Sequence, residues 1–149
     1  MFPPKSILVP TDFSPYSDKA LQTAIDLAKQ FKSKIYLLHV IDEGLQQCVD
    51  MYCLSDQVMK EIEKQGRISS NQHLEQELSR FPGAKDSEIS FDIKKGHPSE
   101  EIIKDQKEKA IDLIVISSHG RSGILKNLLG GTVNKVLRNA GCPVLLLKS

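Results

Sequence analysis

The sequence predicts a single doubly wound α/β domain, with a five-stranded parallel sheet covered by helices on both faces. Three observations carry this. Short, wholly apolar runs alternate with helix-periodic segments in the order β-α-β-α-β-α-β-α-β, which implies right-handed crossovers and a largely parallel sheet. The chain has 149 residues, enough for one domain spanning 1–149 and short for two. Apolar residues make up 40% and charged residues 26%, an ordinary globular balance at a length that needs no disulfide or metal staple.

Taken in order, Ser6-Ile7-Leu8-Val9-Pro10 has the apolar continuity of a strand buried on both faces, and it breaks at Pro10-Thr11-Asp12. Ser14 before Pro15 is a helix start, a capping hydroxyl followed by proline at the first helical position. Leu21, Ala24, Ile25, Ala28 and Phe31 then recur at three- and four-residue spacing, so that helix has one apolar face. Ile35–Val40 reads as a second buried strand, followed by a polar loop from about Asp42 to Asp50. Leu54, Val58 and Ile62, continued by Leu74, Leu78 and Phe81, predict a long helix that Gly66 loosens or kinks and Phe81-Pro82-Gly83 ends.

Ile89, Phe91 and Ile93 alternate with Ser90, Asp92 and Lys94, the pattern of a strand with one exposed side. Gly96-His97-Pro98 opens the next helix, with Glu100 and Glu101 where its dipole favours anions. Ile111–Ile116 is the fourth strand. The last helix runs from about Thr132 to Asn139, and Val144–Leu147 is the fifth strand.

Several function classes fall away. Twenty basic against 19 acidic side chains give a net charge of +1, without the basic excess or stripe expected for a nucleic-acid partner. No apolar run approaches the ~20 residues of a membrane span, and Met1–Ser6 lacks the pattern of a signal peptide. Cys48, Cys53 and Cys142 match neither a redox nor a zinc spacing. A soluble, cytoplasmic protein is the expectation. There is no GxxxxGK[ST] and no GxGxxG after the first strand, and His39, His97 and His119 show no metal-ligand spacing.

In open sheets of this kind ligands bind beyond the carboxyl ends of the strands, where the strand order reverses. With the order 3-2-1-4-5, the end of strand one (Pro10, Thr11, Asp12) faces the end of strand four (Ser117, Ser118, His119, Gly120, Arg121, Ser122, Gly123). Gly120, Gly123, Gly130 and Gly131 let an anion approach the backbone. Gly130-Gly131-Thr132 opens the final helix, whose N–H groups and dipole attract phosphate. The Thr132 hydroxyl and the Arg121 charge suit the same ligand. Each residue also has a plainer role: the glycines as chain turns, Asp12 as an Asx-turn residue before Ser14, His39 as a core histidine. No side-chain set names a nucleophile with a matched base, although His119 and Arg121 leave open an enzyme acting on a phosphorylated or adenylated substrate.

Pro10-Thr11-Asp12-Phe13-Ser14, Leu38-His39-Val40-Ile41-Asp42, the stretch Ser117 to Val133, and Cys142-Pro143-Val144-Leu145-Leu146 together resemble the universal stress protein family. The resemblance covers the whole chain and implies a five-stranded parallel fold. It also implies binding of ATP or AMP, with at most slow hydrolysis, in a stress-response or signalling role. The nucleotide-binding branch carries Gly, two residues, Gly, nine residues, Gly, then Ser or Thr. Here Gly120 and Gly130 match, whereas Ser117 and Gly131 stand in the first and last places. By the resemblance, Asp12 contacts base or ribose and the Val40 backbone pairs with adenine. Gly120, Gly130, Gly131, Thr132 and the adjoining Val133 surround the phosphates, with Mg²⁺ bridging them. The two departures leave a nucleotide-free dimeric interaction protein as the alternative reading.

The same order leaves strands three and five at the sheet edges. Asp92, Lys94 and Lys95 guard strand three, whereas strand five, Val144–Leu147, has no charged residue. A homodimer through strand five is therefore expected, and the resemblance points the same way.

Overall fold

The apolar run Ser6–Pro10 becomes β1, and its alternation assigns each side chain to one of two cores. The computed structural model describes residues 2–42, 55–119 and 131–148. Ile7 and Val9 point into a core with Ala20, Leu21, Ala24 and Ile25 of α1 (Pro15–Phe31) and Leu74 of α2 (Asp56–Ser79). Leu8 points the other way, into a second core with Ile102 of α3 (Pro98–Glu108) and Val133 and Val136 of α4 (Gly131–Asn139). Among the described residues, two helices therefore cover each face of the sheet, and the central strands have no polar face.

The remaining strands are β2 (Lys34–Asp42), β3 (Ile89–Gly96), β4 (Leu113–Ser117) and β5 (Val144–Leu147). All four pairings are parallel, in the order β3-β2-β1-β4-β5, so the expected topology holds. β1 sits between β2 and β4 because the chain crosses from one half of the sheet to the other after β3. That reversal creates the crevice at the carboxyl ends of β1 and β4.

Local differences from expectation have identifiable causes. Asp42 belongs to β2, where it pairs with Gly96, rather than to a loop; residues 43–54, including Cys48 and Cys53, lie outside the described residues. The helix α2 runs unbroken through Gly66. Its apolar stripe is not buried along its length: Val58 and Ile62 are 45% and 42% exposed, whereas Leu74 is fully buried. Among the described residues, the buried positions of α2 are Ser70, Leu74 and Glu77 near its C-terminal end, and the upstream stripe is not covered. On the edge strand β3, Ile89 and Ile93 pack against the first core but Phe91 between them is exposed. The fourth strand begins at Leu113, because Ile111 occupies the tight turn from α3, where Ala110 has a φ of 48°. A short 3₁₀ turn, Pro82–Asp86, follows α2 where proline removes an N–H donor.

Candidate functional site

The segment between β1 and α1 is shaped by its own short polar side chains. Ser14 caps α1, its hydroxyl accepting the Ser17 N–H at 3.3 Å, and Pro15 follows. Asp12 Oδ1 accepts the Ser14 N–H at 3.0 Å, an Asx turn. Phe13 takes a left-handed φ of 64°, which bends the chain sharply past the end of the sheet. The Thr11 N–H extends the β1–β2 pairing by donating to the Leu38 carbonyl at 2.8 Å. From β2, His39 Nδ1 lies 2.8 Å from the Thr11 carbonyl oxygen, so Nδ1 carries the proton and donates. The imidazole packs on Phe13 at a centroid distance of 4.3 Å. His39 is thus the structural histidine that its position in an apolar strand suggests.

Across the crevice, Ser117 Oγ donates to the His119 carbonyl at 2.8 Å. Ser118 Oγ and His119 Nδ1 lie 2.9 Å apart, and the His119 ring sits 6.0 Å from that of Tyr16 on α1. These contacts hold the start of the β4 loop against the start of α1. Gly131 is the first residue of α4, and a Cβ built there meets nothing within 4 Å. Val133 turns into the core at 6% exposure, which anchors the first turn of the helix and leaves its N-terminus facing the crevice.

These pieces enclose one cleft of about 370 Å³. Of the residues expected from the sequence, Pro10, Thr11, Asp12, Val40, Ser117, His119, Gly131, Thr132 and Val133 all line it. Gly120, Arg121, Gly123 and Gly130 lie outside the described residues. Leu38, Ile102 and Ile116 supply an apolar wall, and Asp42 and Pro98 complete the far side. A cleft with apolar walls and a few convergent polar groups has the make-up of a small-molecule site. Among the described residues no group of three or more His, Cys, Asp or Glu side chains is placed to hold a metal ion.

One residue beside the cleft was not singled out in the sequence. Glu77, on α2, is only 1% exposed; its two oxygens lie 3.0 and 3.1 Å from Thr11 Oγ1. Burial pushes its carboxyl up to about 7, against the hydrogen bond from Thr11, which lowers it; the neighbouring Asp18 raises it and Arg80 lowers it. The available signal was spacing, since Glu77 stands three residues after Leu74, on the apolar stripe.

The fold and cleft define a class: a doubly wound α/β domain with a crevice at its switch point. A model of the universal stress protein family matches residues 4–148, and the chain belongs to that family. It is similar to the universal stress protein MJ0531 of Methanocaldococcus jannaschii, 33% identical over 97% of this chain and 82% of the relative. MJ0577 of the same organism is 30% identical over 97% of this chain and 94% of its own length. The solved structure of MJ0577 superposes with a TM-score of 0.83, covering 97% of this chain and 96% of that one at 28% identity. A universal stress protein solved in complex with cAMP has a TM-score of 0.65 at 21% identity, covering 97% and 96% of the two chains. One from Archaeoglobus fulgidus in complex with dAMP scores 0.66 at 18% identity, covering 96% and 97%. These last two share the fold. Among the described residues, no helix is long and apolar enough to cross a membrane.

Proposed function

We propose that the cleft binds an adenine nucleotide, ATP or AMP, and that the protein is a nucleotide-binding stress-response or signalling module. The observation that carries this is convergence. Pro10–Asp12 from β1, Ser117–His119 from β4 and the N-terminus of α4 border one apolar-walled cleft, although 100 or more residues separate the first segment from the others. In this reading the Asp12 carboxylate accepts from ribose hydroxyls and the Val40 backbone pairs with the adenine edge. The N–H groups of the first turn of α4 and the Thr132 hydroxyl receive phosphate oxygens. Arg121 supplies a cation, and Mg²⁺ arriving with the nucleotide would be held by its phosphates and would neutralise their charge. The cAMP and dAMP complexes of structural neighbours support an adenylate ligand.

The protomer pairs with a second copy through β5. Its carbonyls at Pro143 and Leu147 accept from Ile114 and Ser118. The two-residue period of a parallel ladder therefore turns the N–H and C=O groups of Val144 and Leu146 away from β4. That outer edge is apolar and carries no charge to deter pairing.

Denaturing the purified protein and identifying released nucleotide by mass spectrometry, followed by calorimetric titration with ATP and AMP, tests the reading. Micromolar binding of either nucleotide is expected. No released ligand and no heat with either would reject it.

A further inference from the structure

The contacts around Thr11 contain a question that proton counting answers. The Phe13 N–H donates to Thr11 Oγ1 at 3.1 Å. The Ser17 hydroxyl has one proton and lies 2.9 Å from the Ser14 carbonyl, which also accepts the Asp18 N–H at 3.2 Å. Thr11 Oγ1 lies 3.1 Å from Ser17 Oγ and within 3.0 and 3.1 Å of the two Glu77 oxygens. Thr11 therefore has one proton and two neighbours that want it. If Glu77 is ionised, the proton goes to the carboxylate, and the Ser17 proton can serve either Thr11 or the Ser14 carbonyl but not both, so one contact of the three has no proton. If Glu77 is neutral, its O–H donates to Thr11 and Thr11 donates to Ser17. Every donor then has an acceptor, in a chain from Glu77 through Thr11 and Ser17 to the Ser14 carbonyl at the head of α1.

We propose that Glu77 is a positioning residue of the cleft: as a neutral acid it donates to Thr11 and completes a hydrogen-bond chain that pins the turn carrying Asp12. For its effect on ligand this rests on the nucleotide reading; for its effect on the turn it does not. Burial to 1% exposure disfavours the ionised form, and the upward displacement of the carboxyl to about 7 agrees. The other charged groups around it are accounted for. Asp18 of α1, gripped at both oxygens by Arg80 at 2.9 and 3.1 Å, raises the Glu77 carboxyl through a side-chain hydrogen bond as well as through charge, while Arg80 opposes that. His39 of β2 and His73 of α2 pack on Phe13 from two sides, at 4.3 and 5.1 Å. The turn is thus held through its ring by two imidazoles and through its hydroxyl by Glu77.

The consequence is pH-dependent geometry. As Glu77 ionises, the Thr11 proton swings from Ser17 to the carboxylate, one link of the chain is lost, and an anion appears behind the wall of a cleft proposed to hold phosphates. Both effects weaken binding as pH rises.

Carbon-13 titration of the carboxyl groups in the ligand-free protein tests the chain directly. The Glu77 carboxyl is expected to titrate near neutrality, with Thr11 and Ser17 resonances following the same midpoint. Glu77→Gln, whose amide N–H replaces the acid O–H, should abolish that shared transition while the fold stays intact. Ser17→Ala removes the acceptor and should lower the Glu77 midpoint. A Glu77 that titrates as an exposed carboxylate, or Thr11 resonances indifferent to it, overturns the proposal. Calorimetry with ATP between pH 6 and pH 8 then reads the effect on ligand. A half-unit displacement of the Glu77 midpoint on binding makes wild type lose about threefold in affinity beyond whatever Glu77→Gln loses. The titration of the nucleotide's own phosphates is common to both proteins and cancels. Identical profiles overturn the link to ligand. Absence of ATP binding in either protein rejects the nucleotide reading instead, and the carboxyl titration still decides the chain.

Discussion

Asp12 Oδ1 receives the Ser14 N–H at 3.0 Å, and Asp12 also lines the cleft. One side chain therefore holds the turn and faces the cleft. Asp12→Asn keeps an oxygen for the Ser14 N–H but removes the charge, so the thermal midpoint should barely move. A hydrogen bond from ribose to a neutral amide is weaker than one to a carboxylate, and affinity for ATP should fall about tenfold, near 1.4 kcal/mol. Asp12→Ala should lose the Asx-turn hydrogen bond as well and lower the midpoint by a few degrees. Calorimetric titration beside thermal melts separates the two effects.

Glu77 makes folding stability depend on pH in the opposite sense to an ion-paired carboxylate. Its native value of about 7 lies above the ordinary 4.5, so between the two the native state binds more protons than the unfolded chain. Its contribution is fully present below about 4.5 and is lost as pH rises through 7. The loss is on the order of 3 kcal/mol at most. Melts of wild type should fall from pH 5 to pH 7.5, and Glu77→Gln should flatten that slope. A steeper slope in the variant would contradict the assignment.

Gly131 has room for a side chain, since a Cβ there meets nothing within 4 Å. Gly131→Ala should therefore stabilise the first turn of α4 by about 0.5–1 kcal/mol through lost unfolded-state entropy. Gly131→Ser adds a hydroxyl where the family's nucleotide-binding pattern has one, and should tighten ATP binding several-fold. Comparing the two variants isolates the hydroxyl from the backbone effect.

Leu146→Pro tests the proposed dimer. Its N–H points away from β4, so proline removes an outward donor and leaves the β4–β5 ladder intact. Leu146 also packs against the second core, and its loss should cost about 1–2 kcal/mol. Light scattering should report a folded monomer, with circular dichroism unchanged; a dimer of wild-type stability would exclude pairing through β5.

The fold was legible in the chain because its strands are buried on both faces. Ser6–Pro10 and Leu113–Ser117 announce themselves as apolar runs, and each helix over the central sheet carries a clear stripe or cap. The cleft was half legible for a related reason. Short polar residues and glycines at strand ends, such as Thr11, Asp12 and Gly131, stand out against apolar runs, and the strand order brings them together.

Periodicity misled where an apolar stripe has no described partner. Val58 and Ile62 repeat as if for a core, yet no described residue covers them and they are exposed. Phe91 alternates correctly but lies on the edge strand, where nothing described covers it.

What the sequence by itself determined was fold class and element order, since both follow from patterns within about 20 residues and from the crossover rule; the strand order rests on the common arrangement of such sheets, and the structure has it. Only the tertiary structure decided the state of Glu77. In the chain it is one acid among many on a charged helix. Folding sets it against a hydroxyl 66 positions away, out of water, where one proton settles whether the turn carrying Asp12 is fully hydrogen-bonded.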